Sequence, residues 1–546
     1  MTTSRTGFEG ERLEGLVLVV DDELPNREYL RKLLMARGCQ VMVAEGGEQA
    51  LASARSARPD LILVDVIMPG MTGYEVSRSL KSEVGTREIP VIMVTAKTGI
   101  EDIEAGFDAG AFDYIRKPFN PRELIARVRN ALDLKRSNDA LVQWKEKMSR
   151  ELKMAGLLQR KLFSTTSMIT PDFEIYMTYR PSLTIGGDVF DVIKLAGGRL
   201  CVYVGDVSGH GVGAAMVASL LKVIITEVVL GYSAQGIMAV HSKIEERFRR
   251  NVANSEIFAT LFIGLYDPAS QIWECVNCGH PEPLRWPGQE HPGVEPLSGC
   301  RTFPIGFDIA TRARDERVEK EDVSVTSGSA LLLYTDGLSE AYRADREDTC
   351  GEEGLRSGLP LAVEGGGNVA DGLMDRLIRD GFYLDGDDCT AMIIRSLDPS
   401  EVLLDRSLLP TKGAVAELAA DSEALLVREG WDEVAAGAVR LLVMEYGVNI
   451  VTHGRVPAGL MIRFQLRQRK SACRMVFWDN GREWDSEGLL ARADDVSPLK
   501  ESGRGWQIIK AITSHAEVIR RYHENIGVFE VAKVPFLSDN SKKGGQ

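Results

Sequence analysis

Short apolar runs recur from Leu16 onward: Leu16 to Val20, Val41 to Ala44, Leu61 to Val64, Val91 to Val94 and Tyr114 to Ile115, separated by stretches of helical periodicity. This alternation predicts a doubly wound parallel sheet, whose ligand site lies at the carboxyl ends of the strands. Further on, Leu134, Leu141, Met148, Ala155 and Leu162 repeat at heptad spacing, with Trp144 and Leu158 at the companion position. Few turn formers intervene before Ser164, although Gly156 is a weak spot and Glu151 and Ala155 leave the seam imperfect. The pattern predicts one long helix, either half of a parallel coiled coil or an amphipathic helix packed on its own neighbouring domains. Strand-like runs at Leu200 to Val204 and Leu331 to Tyr334 end at aspartates. The last third carries a long helical pattern with Glu445, Asn449 and His453 near one face, then strand-like Arg474 to Trp478 and helical Trp506 to Ile512.

A chain of 546 residues exceeds what one core organises, so roughly three or four domains are expected. With 44% hydrophobic and 26% charged residues, the composition is that of soluble globular domains. The net charge of −14 argues against direct nucleic-acid binding, which draws its affinity from Lys and Arg. Met1 to Gly15 is too polar for a signal segment, and the apolar stretch Gly213 to Gly231 is broken by Lys222 and Glu227. It reads as a buried helix and not a membrane span, and a cytoplasmic protein is expected. The eight scattered cysteines read as buried thiols of a reducing compartment. Cys275 and Cys278 form a CxxC without the second pair a zinc site requires.

Chemistry-bearing residues sit where strands end. Asp21 and Asp22 follow the first strand and Asp65 the third; Thr95 follows the fourth, and Lys117 lies after the fifth. Any one of these acids alone reads as a helix cap. As a set, Val19-Val-Asp-Asp-Glu23, Val64-Asp-Val-Ile-Met-Pro-Gly70 and Ile115-Arg-Lys-Pro-Phe119 resemble the response-regulator receiver family over residues 13–133. The resemblance implies that Asp65 is the phosphoacceptor and that Asp21, Asp22, Asp65 and the carbonyl of Ile67 hold Mg²⁺, a hard cation preferring oxygen. It also implies that Thr95 and Lys117 contact the phosphoryl group, that Tyr114 is the aromatic switch residue, and that a sensor histidine kinase is the partner. Residues 134–168 then form a helical linker, placed to transmit phosphorylation as rotation or homodimerisation. Moving a switch from 1:99 to 99:1 takes about 5.5 kcal/mol, which a remade dimer interface can supply.

Four aspartate segments follow: Gly186-Gly187-Asp188, Gly205-Asp206-Val207-Ser208-Gly209-His210-Gly211, Tyr334-Thr335-Asp336-Gly337 and Asp387-Asp388-Cys389-Thr390. Strand ends can aim such carboxylates at one point. Like charges about 4 Å apart repel by roughly 4 kcal/mol at an effective dielectric of 20, so the cluster requires cations. With Asn277-Cys-Gly-His-Pro281, these segments resemble the metal-dependent PP2C-type serine/threonine phosphatases of the RsbU and SpoIIE branch, over residues 169–398. The resemblance implies two antiparallel sheets flanked by helices. It implies two Mn²⁺ or Mg²⁺ ions held by Asp188, Asp206, Asp336, Asp387 and the carbonyl of Val207, with Asp206 shared and water as the nucleophile. Ser208 and His210 invite a hydrolase reading, but no acid partner or oxyanion motif accompanies them, and they read as turn-shaping residues. Asp191 and Asp388 are either supports behind the ligands or solvated carboxylates.

The final motifs, Glu445 with Asn449, Asp479-Asn480-Gly481 and Gly503-Arg504-Gly505, resemble the GHKL ATP-binding fold over 400–537, within it the RsbW and SpoIIAB-type serine kinases that act as anti-sigma factors. That implies an α/β sandwich binding ATP with Mg²⁺. Asn449 would ligate the ion, Glu445 would be the base for a serine hydroxyl, and Asp479 with Gly481 would take the adenine. The amides at Gly503 and Gly505, opening a helix, suit phosphate. The alternative for Glu445 and Asn449 is a plain polar helix face. One departure stands out: Asp479-Asn480-Gly481 continues into Arg482-Glu483, where the family has a second glycine, and a side chain there narrows the nucleotide pocket. Altogether the fold class is multidomain, α/β and α+β. The layout resembles the partner-switching response regulators of the HsbR and CrsR type, implying a phosphorylated STAS-domain anti-sigma antagonist as substrate and a sigma factor as a further partner. The C-terminal module either restores the phosphate or binds sigma factor or antagonist without catalysis.

Overall fold

The computed structural model describes residues 12–533 apart from 97–99, 164–166, 253–256, 290–292, 300, 308–317, 325, 345, 366–367, 454–460, 470–471, 482–503 and 522–523. The chain forms two compact units, Met1–Glu151 and Leu152–Gln546.

The first unit is built on five parallel strands, Leu16–Val20, Gln40–Ala44, Leu61–Asp65, Val91–Thr95 and Asp113–Arg116, in the order second, first, third, fourth, fifth. Alternate residues serve opposite faces. Val17, Val19, Leu61 and Leu63 pack on one side, and Leu18, Val20, Ile62 and Val64 on the other, so both faces are buried under helices. One helix, Pro121–Leu162, begins in this unit and ends in the second.

The second unit opens with two facing sheets. One is formed by the antiparallel strands Asp188–Lys194, Leu200–Val207, Ala259–Asp267 and Ile272–Cys278, edged by shorter strands. The other contains Phe173–Arg180, Cys389–Ser396, Ala330–Tyr334 and Leu284–Trp286. Ile175, Met177, Leu333 and Met392 point into the core with Val189 and Val202, while their alternates Tyr176, Leu332 and Ile393 pack under helices Gly351–Gly365 and Val369–Arg379. Helices Val212–Tyr232 and Ile237–Asn251 add to the first core. All seven described cysteines, Cys275 and Cys278 among them, are free and buried.

A third sheet follows in the same unit. Its strands run in the order Val402–Leu408, Ile462–Gln468, Ala472–Asp479, Glu524–Ala532, His515–Arg521. Cys473, Met475 and Phe477 lie under helices Lys412–Arg428, Glu433–His453 and Arg504–Ile512. The opposite face carries Val476, Trp478, Ile526 and Val528, which pack with Ile169 at the edge of the sheet containing Phe173–Arg180. Trp478 Nε1 donates to the Ile169 carbonyl at 2.9 Å. Among the described residues, two helices, Val212–Gln235 and Glu433–Thr452, are long and apolar enough to cross a membrane by length and composition. Both supply buried residues to the cores just described.

Candidate functional site

The carboxyl ends of the parallel strands bring Asp21, Asp22 and Asp65 within 4.8 Å of one another. Lys117 Nζ donates to Asp21 Oδ2 at 2.7 Å and Asp65 Oδ2 at 2.5 Å. Burial works against the charge of Lys117, but the two aspartates more than offset it and its pKa lies above the ordinary value. Asp65 Oδ1 accepts from the Ile67 amide at 3.2 Å, which turns that peptide beside the acids. Thr95 is buried at its strand end, and Tyr114 is half-buried with its ring 6.2 Å from that of Phe107, edge-on. Three carboxylates so close form a hard oxygen donor set fitted to Mg²⁺.

In the second unit, Asp188 and Asp206 stand directly opposite each other on paired antiparallel strands. Asp188 Oδ2 accepts from Thr335 Oγ1 at 3.0 Å and from Thr390 Oγ1 at 2.5 Å. Asp336 opens a short helix after Tyr334, and Asp387 precedes the strand Cys389–Ser396 that pairs with Ala330–Tyr334. A Cβ on Gly187 would come within 3.0 Å of Asp206 Oδ1 and 3.2 Å of the Val207 carbonyl, so the small residue keeps this pocket open.

The acids raise one another. Burial, then Asp336, Asp387 and Asp388, push Asp206 up to about 7. Burial followed by Asp206 raises Asp188 well above the ordinary carboxylate range, and burial followed by Asp387 raises Asp336. Mutual repulsion among these partly desolvated carboxylates is relieved by a cation, and this oxygen donor set fits Mn²⁺ or Mg²⁺. The spread is wider than in the first unit: among the described residues, only Asp21, Asp22 and Asp65 form a set within 4.8 Å.

The other motif residues are accounted for. Asp388 Oδ2 accepts from the Gly187 amide at 2.6 Å, and Oδ1 from the Ser182 amide at 2.8 Å, so it pins the loop before Asp188. Asp191 instead pairs with Lys222 Nζ at 2.5 Å. Ser208 Oγ accepts from the Phe258 amide at 3.0 Å, while His210 is exposed. Roles that sequence reasoning did not assign belong to Thr335, Thr390 and His280. His280 Nδ1 lies 3.0 Å from Thr260 Oγ1, which accepts from the Asp206 amide at 3.3 Å. Burial pushes His280 down to about 3, so the ring is neutral. Thr335, Thr390 and His280 all lay inside recognised motifs, which was the available signal.

In the third sheet, Asp479 Oδ1 accepts from the Gly481 amide at 2.9 Å and Asn525 Nδ2 at 2.7 Å. Its Oδ2 is buried without a partner among the described residues, an acceptor fitted to the exocyclic amine of adenine. Glu445 and Asn449 lie one turn apart and half-buried on helix Glu433–His453, which ends at His453. Gly505 is the second residue of helix Arg504–Ile512. Gly503, Arg482 and Glu483 lie outside the described residues.

Three sequence-family profiles match in order: the response regulator receiver domain over residues 17–129, stage II sporulation protein E over 196–396, and the histidine kinase-like ATPase domain over 408–527. The chain is similar to the DNA-binding response regulator MtrA of Mycobacterium tuberculosis, 46% identical over 123 residues, covering 22% of this chain and 51% of MtrA. It thus spans about half the length of the curated relatives it matches. It is also similar to the crystal structure of the RsbU and RsbW domains of Rv1364c from Mycobacterium tuberculosis (21% identity, TM-score 0.40, covering 67% of this chain and 95% of that one). A further similarity is to the SiaA-PP2C domain of Pseudomonas aeruginosa (17% identity, TM-score 0.38, covering 46% and 98%).

Proposed function

Because the chain is a three-domain response regulator, with a receiver, a SpoIIE-type phosphatase domain and a histidine-kinase-like ATPase domain in that order, we propose that phosphorylation of Asp65 controls hydrolysis of phosphoserine or phosphothreonine on a STAS-domain anti-sigma antagonist. The carrying observation is the set of aspartates, Asp188 buried and Asp206 and Asp336 half-buried, whose pKa values rise through desolvation and the charge of neighbouring acids. Two Mn²⁺ or Mg²⁺ ions held by Asp188, Asp206, Asp336, Asp387 and the Val207 carbonyl would supply the Lewis acidity that acidifies a water and offsets charge on the phosphoryl oxygens. Thr335 and Thr390 orient Asp188, and Asp388 fixes the Gly187 peptide. The test is Mn²⁺-dependent release of phosphate from a phosphoserine STAS protein, with Asp206→Ala as the inactive control.

At the receiver, a sensor histidine kinase supplies the phosphoryl group. Asp21, Asp22, Asp65 and the Ile67 carbonyl would hold Mg²⁺ there, and Lys117 and Thr95 would take up the new charge while Tyr114 follows Thr95. The long helix carries an apolar stripe, with Leu134, Leu141, Trp144, Leu158 and Leu162 all exposed. A second copy of the chain is its occupant, because the exposed residues follow the heptad seam. Signalling domains of these three families support a cytoplasmic location.

In this reading the C-terminal module takes ATP: Asp479 would hold the adenine and Asn449 the accompanying Mg²⁺, and Glu445 would accept the serine hydroxyl proton as the γ-phosphoryl group passes to that oxygen and ADP leaves. The second reading is a module that captures sigma factor or antagonist without catalysis, favoured by Arg482-Glu483 in place of the second glycine. Transfer of labelled phosphate from ATP to the antagonist, lost in Asn449→Ala, separates the two.

A further inference from the structure

Two of the proposed metal ligands, Asp336 and Asp387, sit on segments that lead to one pair of tyrosines. Asp336 opens the short helix Asp336–Ser339, after which the chain enters the two-stranded ribbon of Tyr342–Arg343 and Arg346–Thr349. Tyr383 stands four residues before Asp387. Its amide donates to the Tyr342 carbonyl at 2.8 Å, which joins the two segments. The rings stack, with centroids 5.6 Å apart and planes inclined by 23°. The Tyr342 hydroxyl donates to Asp385 Oδ1 at 3.2 Å, and a Cβ on Gly386 would lie 3.5 Å from Tyr342 Cε1, so this ring rests against the loop that delivers Asp387.

Stacking does not bury the pair. Tyr342 is 42% exposed and Tyr383 51%, although both stand beside the acid cluster. A lone exposed aromatic needs no special role, but two braced rings form a preformed platform, and tyrosine offers a large contact area at low entropic cost. The surroundings are acidic: Glu340, Asp385 and Asp387 are exposed, and Asp385 has no cation partner among the described residues. The nearby cation, Arg343, is taken up by the Phe382 ring, its guanidinium 4.2 Å from the centroid. An aromatic face attracts a cation, and a guanidinium can stack on a ring while pairing with a carboxylate. Two rings and a free carboxylate are therefore complementary to an arginine.

We propose that Tyr342, Tyr383 and Asp385 form a specificity-determining platform that selects phosphoproteins with an arginine close to the phosphoserine. The proposal rests on the reading of the aspartate cluster as a phosphatase site. The rings take the guanidinium face, Asp385 accepts from its N–H groups, and the anchored segment presents the phosphoserine to the acids alongside.

The test uses the full chain at saturating Mn²⁺ and phosphoserine peptides that differ in one residue, arginine, alanine or glutamate, placed in turn at each position flanking the phosphoserine. In wild type, kcat/KM for the arginine peptide at one position is expected to exceed that of its alanine counterpart by about fivefold or more, through KM, as for a cation on an aromatic face. Tyr383→Ala and Asp385→Asn should bring that ratio to within about twofold of unity, while Tyr383→Phe, which keeps the ring, retains the preference. Each ratio is taken within one protein, so a general loss of fold or catalysis cancels. A role confined to bracing the ribbon would slow all peptides alike and leave the ratio intact. An intact ratio in Tyr383→Ala and Asp385→Asn, a wild type without preference for arginine, or hydrolysis of p-nitrophenyl phosphate with no peptide turned over, overturns the proposal and leaves the phosphatase reading in place. Wild type that hydrolyses neither peptides nor p-nitrophenyl phosphate overturns both.

Discussion

Arg474 Nη1 donates to Glu174 Oε1 at 2.8 Å across the seam between the phosphatase sheet and the C-terminal sheet. Arg467 Nη1 reaches the same oxygen at 3.0 Å, and Arg395 and Arg469 hold the other. Glu174 is fully buried, and burial alone would raise its pKa, yet the four guanidiniums hold it well below the ordinary 4.5. At Arg467 burial wins, and its pKa falls to about 10, still charged at neutral pH.

Removing the carboxylate leaves buried cations uncompensated, a loss of about 3–5 kcal/mol in comparable sites. Urea unfolding of Glu174→Ala is expected to show that loss and to split into two transitions as the sheets separate. Because the folded carboxyl lies below its ordinary value, its stabilisation is complete above about pH 4.5 and fades only on acidification. An unchanged midpoint in Glu174→Ala would contradict the hub.

The proposed metal site has the opposite pH sign. Burial and neighbouring acids raise Asp206 from 3.8 to about 7 in the metal-free protein. Its contribution to stability is therefore present below the ordinary value and lost as pH rises through about 7. Mn²⁺ must displace that proton, so apparent affinity should weaken about tenfold per unit below that pH and level off above it. Calorimetry at pH 6 and pH 7.5 in two buffers gives both the slope and the proton released.

Asp479→Asn puts a donor in place of the Oδ2 acceptor that is proposed to receive the adenine amine and that has no partner among the described residues. ATP affinity, followed with a fluorescent nucleotide, is expected to fall at least tenfold, the 1.4 kcal/mol or more of a lost buried hydrogen bond. Unchanged affinity would remove Asp479 from the nucleotide site.

Leu141 and Trp144 are 62% and 64% exposed. Placing Glu at either position puts a charge into the proposed dimer seam. Light scattering should show a dimeric wild type and monomeric Leu141→Glu and Trp144→Glu variants; a monomeric wild type would refute the second copy as occupant.

The receiver acids were legible because each follows a strand in chain order, so a local pattern encodes the site. The placement of Asp188 and Asp206 on facing strands and of Asp336 at a strand end was legible for the same reason, through the turns that carry them. Glu174 was not, because its four arginine partners lie 221 to 300 residues away and each arginine in isolation reads as a surface charge. Tyr342 and Tyr383 were hidden differently: each alone in the sequence reads as a core aromatic, and only the folded chain stacks them in the open. The partner of Asp191, Lys222, lies on a helix that sequence reasoning recognised as buried without a reason for its charge.

The most direct measurement is the rate of Mn²⁺-dependent dephosphorylation of a phosphoserine STAS antagonist by the full chain, with and without a stable phosphoryl analogue on Asp65. The account predicts hydrolysis that rises with the analogue and vanishes in Asp206→Ala. Equal rates in the two receiver states, or none in either, would contradict it.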